Sequence, residues 1–355
     1  MTGVGTARGE GARKGMARAA VIGAGSRAPA HIEAYRHVDA AAVVAVCDRS
    51  GTGSARLAER YGIQAYQDVR RMLRIERPDL VHIVTGPIGR IDLMEIVAAE
   101  GVPLCTVEKP VAAAVSDLRR LERLEAAATT RFAVSHQFRW HPDFAAVRDA
   151  VAAGAIGSPD FVDMSAGMTV TGQGTHILHY GMELAGASPV LDVLGAAEGW
   201  SEDDPDHPGP ASAQAVLRFA NGARGLWVTG RLAPRVGDRA TVWQHVRVAV
   251  YGDGGQAWWE EFGSFGAPGL GRSSFGGTER WRELNLVAQA GFHRAMLDWL
   301  ENIDRPPSTH LGRALHEWRV VLAFYQSVLN RKRVDVVTFV PPDELISEVR
   351  AALQA

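Results

Sequence analysis

Apolar residues recur along this chain in two rhythms. From residue 17 to about 137, short unbroken apolar runs alternate with stretches whose apolar positions return every three or four residues. The strand-like runs are Ala19–Ile22 and Ala42–Cys47, both wholly apolar, then Leu80–Thr85, Val102–Val107 and Arg131–His136, with a brief strand at Gly62–Tyr66. Between them lie helical periods over Ser54–Tyr61, Val69–Ile75 closed by Pro78, and Ile91–Ala99 closed by Gly101. A last helix face carries Leu118, Leu121 and Leu124. Strands buried on both faces read as continuous apolar runs, so this alternation predicts a doubly wound parallel sheet wrapped by helices.

From about residue 158 the rhythm changes to period two. Ser212–Phe219 and Arg224–Val228 flank Asn221-Gly222, a hairpin signal, and Val246–Tyr251 and Gln256–Glu260 repeat it around Gly252–Gly255. A large open, mostly antiparallel sheet in an α+β domain is expected. Gly263–Gly277 is glycine-rich with little periodicity and reads as a mobile surface loop. Two amphipathic helices follow, Phe292–Ile303 and Ala314–Leu329. The division expected is a disordered extension over 1–15, a dinucleotide-binding domain over 16–137 and a substrate and oligomerisation domain over 138–355.

Composition narrows the class. At 355 residues two domains are the natural expectation, and 46% apolar with 22% charged residues is ordinary for a globular chain. A net charge of −2 gives no footprint for nucleic acid or an anionic membrane. No apolar run is long enough to span a bilayer. Cys47 and Cys105 sit in strand-like runs and read as buried thiols. Residues 1–15 lack the apolar core of a secretory signal, Met16 stands as a possible true start, and a cytoplasmic protein is expected.

The candidate chemistry begins at Gly23-Ala24-Gly25-Ser26-Arg27-Ala28, between the first strand and the first helix. This is the form of a dinucleotide fingerprint. Gly23 allows a sharp turn, Gly25 allows the backbone to approach a pyrophosphate, and Ala28 is small enough for helix–strand packing. Asp48 ends the second strand about 20 residues on, where the fingerprint places its ribose-binding acid. That favours NAD, while the adjacent Arg49 could pair with a 2′-phosphate and keeps NADP open. A strand-end turn residue is the competing reading of Asp48.

Thr85-Gly86-Pro87 and Glu108-Lys109-Pro110 end later strands. Ligands of open α/β sheets sit beyond the carboxyl ends of the strands, so both clusters fall on the rim that carries Gly23–Ala28. A lysine held there can donate to a substrate hydroxyl and a nicotinamide ribose, and a nearby cationic ring would lower its pKa.

With these residues the chain resembles the glucose–fructose oxidoreductase, inositol dehydrogenase and MocA family (Gfo/Idh/MocA). The resemblance rests on Gly23-x-Gly25-x-x-Ala28-x-x-His31, Asp48, Thr85 with Pro87, and Glu108-Lys109-Pro110. Phe138–Pro142, Ala153–Gly157, Gly174-x-His176 and Gly186 extend it along nearly the whole chain. It implies a Rossmann domain and a large antiparallel sheet. It also implies NAD(P)-linked oxidation or reduction of a sugar, inositol or related polyol or glycoside, in a homo-oligomer, dimer or tetramer, joined through the sheets.

Two positions depart from the family pattern: Gly172 and His179 stand where acids are usual. His176 and His179 lie one helical turn apart, with Glu183 a further turn on. The expected relay has His176 taking the hydroxyl proton, Lys109 orienting it and His179 behind His176. A helix-face residue hydrogen-bonded between domains is the other reading of His179. A metal held by His176, His179 and Glu183 is the lesser alternative, so no metal is expected. Arg139 and Trp140 are candidates for substrate or cofactor contact, with hinge packing as their alternative. At least one of Trp258 and Trp259 is expected to pack within the sheet or an oligomer, since adjacent strand residues face opposite ways. A hydrolase or lyase using tightly held NAD transiently, and a non-catalytic nucleotide sensor, are the competing functions.

Overall fold

The structure, a computed structural model, describes residues 15–236, 241–274 and 278–355. The expected disordered extension falls, over residues 1–14, outside the described residues.

The first half alternates strand and helix. In order these are β1 (Ala17–Ile22), α1 (Ala28–Ala34), β2 (Ala41–Cys47), α2 (Thr52–Tyr61), β3 (Gln64–Tyr66) and α3 (Val69–Glu76). Then come β4 (Leu80–Ile83), α4 (Arg90–Ala99), β5 (Leu104–Val107), α5 (Val115–Ala127) and β6 (Arg131–Val134). The strands form one six-stranded sheet in the order β3-β2-β1-β4-β5-β6, with every pairing parallel. The order reverses at β1 and β4, the switch point beyond which an open α/β sheet holds its ligand. Cys47 and Cys105 are buried free thiols.

Helix α6 (Pro142–Ala152) leads into the second half. There β7 (Pro159–Ala166) and α7 (Thr175–Leu184) precede the long strands β8 (Val190–Ser201), β9 (Gly209–Phe219) and β10 (Arg224–Gly230). After them come β11 (Val246–Gly252), β12 (Gly255–Glu260), β13 (Ser264–Ala267) and β14 (Gly271–Ser274). The chain closes with α8 (Thr278–Glu301), α9 (Leu311–Asn330), β15 (Val334–Asp335) and α10 (Leu345–Gln354). The nine strands run β14-β13-β12-β11-β7-β10-β9-β8-β15, antiparallel except between β7 and β10. Both expected hairpins are present, β9–β10 around Asn221-Gly222 and β11–β12.

The stretch 263–277 departs from expectation. Its described part is the β13–β14 hairpin, whose first strand sets Gly266 opposite Trp258 and Phe265 opposite Trp259 of β12. Glycine weakens a strand taken alone. Here the paired edge of β12 supplies the register that local propensity withholds. Residues 275–277 lie outside the described residues. Trp259 is buried against Phe138, His141 and Phe144, whereas the Trp258 indole is half-buried and donates to Ser264.

Helix α8 begins well ahead of Phe292 and crosses back to the first sheet. Ala290 and Leu297 pack with Ala19, Tyr35 and Val38, and Phe292, Met296 and Trp299 pack with Leu80, Leu104 and Ala133. Helix α7 is enclosed instead. All ten of its residues are buried, between the nine-stranded sheet and α9. It presents its first turn to the rim of the parallel sheet.

Candidate active site

Backbone sterics shape the loop after β1. Gly23 has φ +105°, and a Cβ there would lie 2.5 Å from the carbonyl oxygen of Val84. Only glycine relieves both constraints. Around Gly25 there is open space. Gly25, Ser26 and Arg27 line a cavity of about 490 Å³. Gly23, Gly25, Asp48, Arg49 and Thr85 line an adjoining one of about 840 Å³. Ala28 is fully buried at the start of α1. Pro87 is buried but lines neither cavity.

Asp48 braces this loop. Its carboxylate accepts from the backbone N–H of Ala24 at 2.9 Å and from the N–H and hydroxyl of Ser50. Burial pushes its pKa up, but these hydrogen bonds and Arg49 outweigh burial and hold it below its ordinary value. A carboxylate has acceptor capacity beyond three bonds, so Asp48 can also receive a ribose hydroxyl. A glycine floor with a carboxylate at its far end fits a dinucleotide, which Gly23, Gly25, Asp48 and Thr85 would hold.

Glu108 and Lys109 part company at the end of β5. The Glu108 carboxylate turns to His31, 2.7 Å from its Nε2. Burial opposes its charge, yet that bond with Arg27 and Lys109 holds it well below the usual carboxylate range. Lys109 is directed across the cleft, its Nζ donating to the backbone carbonyl of Gly172. Burial pushes Lys109 down to about 8, with Arg27 adding to the effect and Glu108 opposing it. Beneath them lies Arg90, a fully buried side chain that sequence reasoning missed. Its guanidinium donates to the carbonyls of Glu108, Pro110 and Thr85, tying the two rim turns into one unit.

His176 enters from the first turn of α7, after a π-turn over Val170–Gly174. It lines the 490 Å³ cavity with Lys109, Gln137, Phe138 and Tyr180. Its Nδ1 lies 2.9 Å from Nδ1 of His136 and 3.3 Å from the Tyr180 hydroxyl. Burial, then the neighbouring His136 and Lys109, push its pKa well below the ordinary imidazole value.

More of the wall comes from segments the sequence did not flag. The β8–β9 loop brings Asp204, Asp206 and His207, with His207 Nδ1 2.8 Å from Asp204. Glu261, Trp243 and Trp281 close the far side. Burial raises the Glu261 carboxyl to about 8, against a hydrogen bond from the Trp281 indole at 2.9 Å. A lone carboxylate after a strand carries no sequence signature, because its meaning depends on the distant tryptophan that covers it.

Three expected substrate contacts are not brought into the cavity. His179 is fully buried behind it, 2.7 Å from Glu317 and stacked on His136 at 4.4 Å between ring centroids. Arg139 pairs with Glu183 at 3.0 Å and lies over Trp140, which packs edge-on against Phe292 of α8. The tight 3-10 turn over Gln137–Trp140 explains this: it aims Gln137 and Phe138 at the cavity and turns the next two side chains away. His176, His179 and Glu183 do not converge as a ligand set, since Glu183 is committed to Arg139. Among the described residues, convergent groups of metal-ligand type are instead His31, His82 and His293, and His136, His179 and Glu317.

A profile of the Gfo/Idh/MocA group, described as an oxidoreductase family with an NAD-binding Rossmann fold, matches residues 17–136. The dinucleotide-binding part of the chain, residues 17–136, is thus similar to that of the Gfo/Idh/MocA family. The chain is 34% identical over 144 residues to a D-apiose dehydrogenase of Paraburkholderia graminis, covering 40% of this chain and 38% of that one. It is 30% identical over 142 residues to an inositol 2-dehydrogenase of Rubrobacter xylanophilus, covering 39% and 40%. The matched segment thus spans about two fifths of these relatives. Whole-chain similarity is seen with an oxidoreductase from Agrobacterium radiobacter solved with NAD+, L-tartaric acid and magnesium. There the TM-score is 0.76 at 22% identity, covering 90% of this chain and 98% of that one. The WlbA dehydrogenase from Bordetella pertussis, solved with NADH and UDP-GlcNAcA, gives 0.71 at 19%, covering 92% and 100%. These two share the fold of this chain. Among the described residues no helix is long and apolar enough to cross a membrane.

Proposed function

We propose that this chain is a nicotinamide-dependent dehydrogenase or ketoreductase acting on a carbinol or keto carbon of a sugar, inositol or related polyol or glycoside. The supporting observation is a shared cavity. Lys109 and His176 line the same space as Gly25, Ser26 and Arg27 of the dinucleotide loop. At about 490 Å³ it falls within the range of small-molecule sites. In this reading residues 16–137 hold the dinucleotide and 138–355 the substrate. The names of the apiose and inositol dehydrogenase relatives accord with a polyhydroxylated substrate.

Bound nicotinamide supplies the two-electron chemistry. The chain supplies position and proton traffic. Lys109, displaced from the Gly172 carbonyl, donates to the reacting oxygen. Its pKa near 8 leaves it protonated for most of the neutral range while making the proton easy to share. His176 is kept neutral by burial and is therefore free to take the hydroxyl proton. Asp48 favours NAD, with Arg49 the residue through which NADP would be accepted. The exposed Phe161, Leu194 and Val216 of the nine-stranded sheet support assembly of copies through that sheet.

The test is reduced-nicotinamide absorbance with either dinucleotide against sugars, inositols, glycosides and sugar acids, with keto forms run in reverse. Turnover on any of these supports the reading. Binding of a dinucleotide with silence across the panel would overturn it, and would favour transient use of tightly held NAD or a sensor.

A further inference from the structure

Behind His176 lies a line of buried groups that the proposed reaction has not used. His136 follows β6, and its Nδ1 meets Nδ1 of His176 at 2.9 Å. On the other side of the same ring, Nε2 lies 3.2 Å from Oε2 of Glu317, on α9. The second carboxylate oxygen, Oε1, lies 2.7 Å from Nδ1 of His179. All four side chains are buried. The carboxylate thus bridges two stacked imidazoles, with His176 standing between this line and the cavity.

Hydrogen-bond logic fixes the protons. A carboxylate only accepts, so His136 carries its hydrogen on Nε2 and offers the lone pair of Nδ1. His176 must then donate through Nδ1–H. Its Nε2 is left with a bare lone pair, on the ring that lines the cavity. Reversing the first tautomer would put a hydrogen on His176 Nε2 and remove the base.

We infer that Glu317, acting through His136, is the positioning acid of this site and stands in for the acids absent at Gly172 and His179. The inference rests on the oxidoreductase reading for its role in turnover. The tautomer chain itself does not. In the step, the substrate O–H bond breaks and an N–H bond forms at His176 Nε2. The Nδ1 proton of His176 crosses to Nδ1 of His136, whose positive charge then faces Glu317. His176 ends neutral and charge has moved inward by one ring. The relay is the arrangement of a catalytic triad with one histidine interposed.

The electrostatic setting is closed on every side. Lys109, Arg27, His136 and His179 face His176, and Tyr180 lies beside it. His136, His179, Arg313, His310 and His316 surround Glu317. Burial pushes Glu317 up, but the imidazoles of His179 and His136 outweigh it and hold the carboxylate well below its usual range.

The experiment combines imidazole ¹H–¹⁵N correlation spectra of the full chain, assigned with His176→Gln and His136→Gln, with turnover against pH. The expected spectra show His136 protonated on Nε2 and His176 on Nδ1 in the wild type. For Glu317→Gln, kcat should fall about 10²- to 10⁴-fold, as when a triad loses its acid, with dinucleotide binding retained. The acidic limb of the kcat profile should move to lower pH, because the charge that favours the protonated relay is gone. Glu317→Asp, which keeps that charge, should restore the limb toward the wild-type position. His136 protonated on Nδ1 in the wild type, or Glu317→Gln with an unshifted limb and kcat within about threefold, would overturn the inference. The expected tautomers in a protein without nicotinamide-linked turnover would retain the relay and remove only the oxidoreductase reading.

Discussion

The ammonium of Lys109 is held on the backbone carbonyl of Gly172, across the seam between the parallel sheet and α7. Gly172 is a position where the family resemblance leads one to expect an acid. Its carbonyl takes the lysine without adding a negative charge, and burial is then free to lower the lysine pKa toward neutrality.

Replacing Lys109 by Ala or Met should lower kcat by about 10²- to 10⁴-fold, the range for loss of a positioned proton donor. Dinucleotide binding should stay close to wild type, because Gly23, Gly25 and Asp48 are untouched. Steady-state rates alongside NADH fluorescence titration check both halves of this expectation, and near-normal turnover would remove the role.

Gly23→Ala should abolish folding of the dinucleotide loop. A Cβ there would lie 2.5 Å from the Val84 carbonyl oxygen, and φ of +105° is hostile to any side chain. The combined cost should be about 3 kcal/mol or more. Thermal melts and dinucleotide titration should report lower Tm and lost binding together.

Arg90→Met should be severely destabilising. The buried guanidinium satisfies three carbonyls at once, and removing it strands them for about 1–3 kcal/mol each. Arg90→Lys should not rescue, because an ammonium cannot reproduce the planar fork. Urea midpoints of the three proteins decide it.

Asp48→Ser with Arg49 retained should shift preference from NAD toward NADP by about tenfold or more, removing a ribose acceptor and a charge that repels a 2′-phosphate. The ratio of kcat/KM for the two dinucleotides is the readout. An unchanged ratio would assign Asp48 to bracing Ala24 and Ser50 alone.

Glu261 gives a pH prediction for stability. Burial raises its folded pKa to about 8, above the unfolded carboxyl value. The folded form therefore binds the extra proton between those two values. Its contribution to stability is full below the unfolded pKa and is lost as pH rises toward 8. Glu261→Gln should flatten that decline and raise Tm by a few degrees at pH 8 relative to wild type, while changing little at pH 5. Parallel melts at the two pH values would show it.

The parallel sheet was legible because its inner strands β1, β2, β4 and β5 are mostly apolar and buried, and the dinucleotide loop because Gly23, Gly25 and Asp48 keep fixed offsets. Lys109 and His176 were legible as candidates from their places at a strand end and a helix start. The orientation of Arg139 and Trp140 was not, since a single 3-10 turn decides which neighbours face the cavity. Glu317 was invisible for another reason. It is one acid on a long amphipathic helix, and its partner His136 lies far away in sequence. The β13–β14 hairpin was hidden because a glycine in a strand is justified only by what stands opposite it.

Helix α8 has a consequence for synthesis. It lies more than two hundred residues beyond β1, yet its Ala290, Phe292, Met296 and Leu297 cover apolar residues on one face of the parallel sheet. A nascent chain that has released residues 16–137 therefore still exposes Ala19, Leu80 and Leu104. The dinucleotide unit leaves the ribosome first and must wait for the distal helix before its surface is closed.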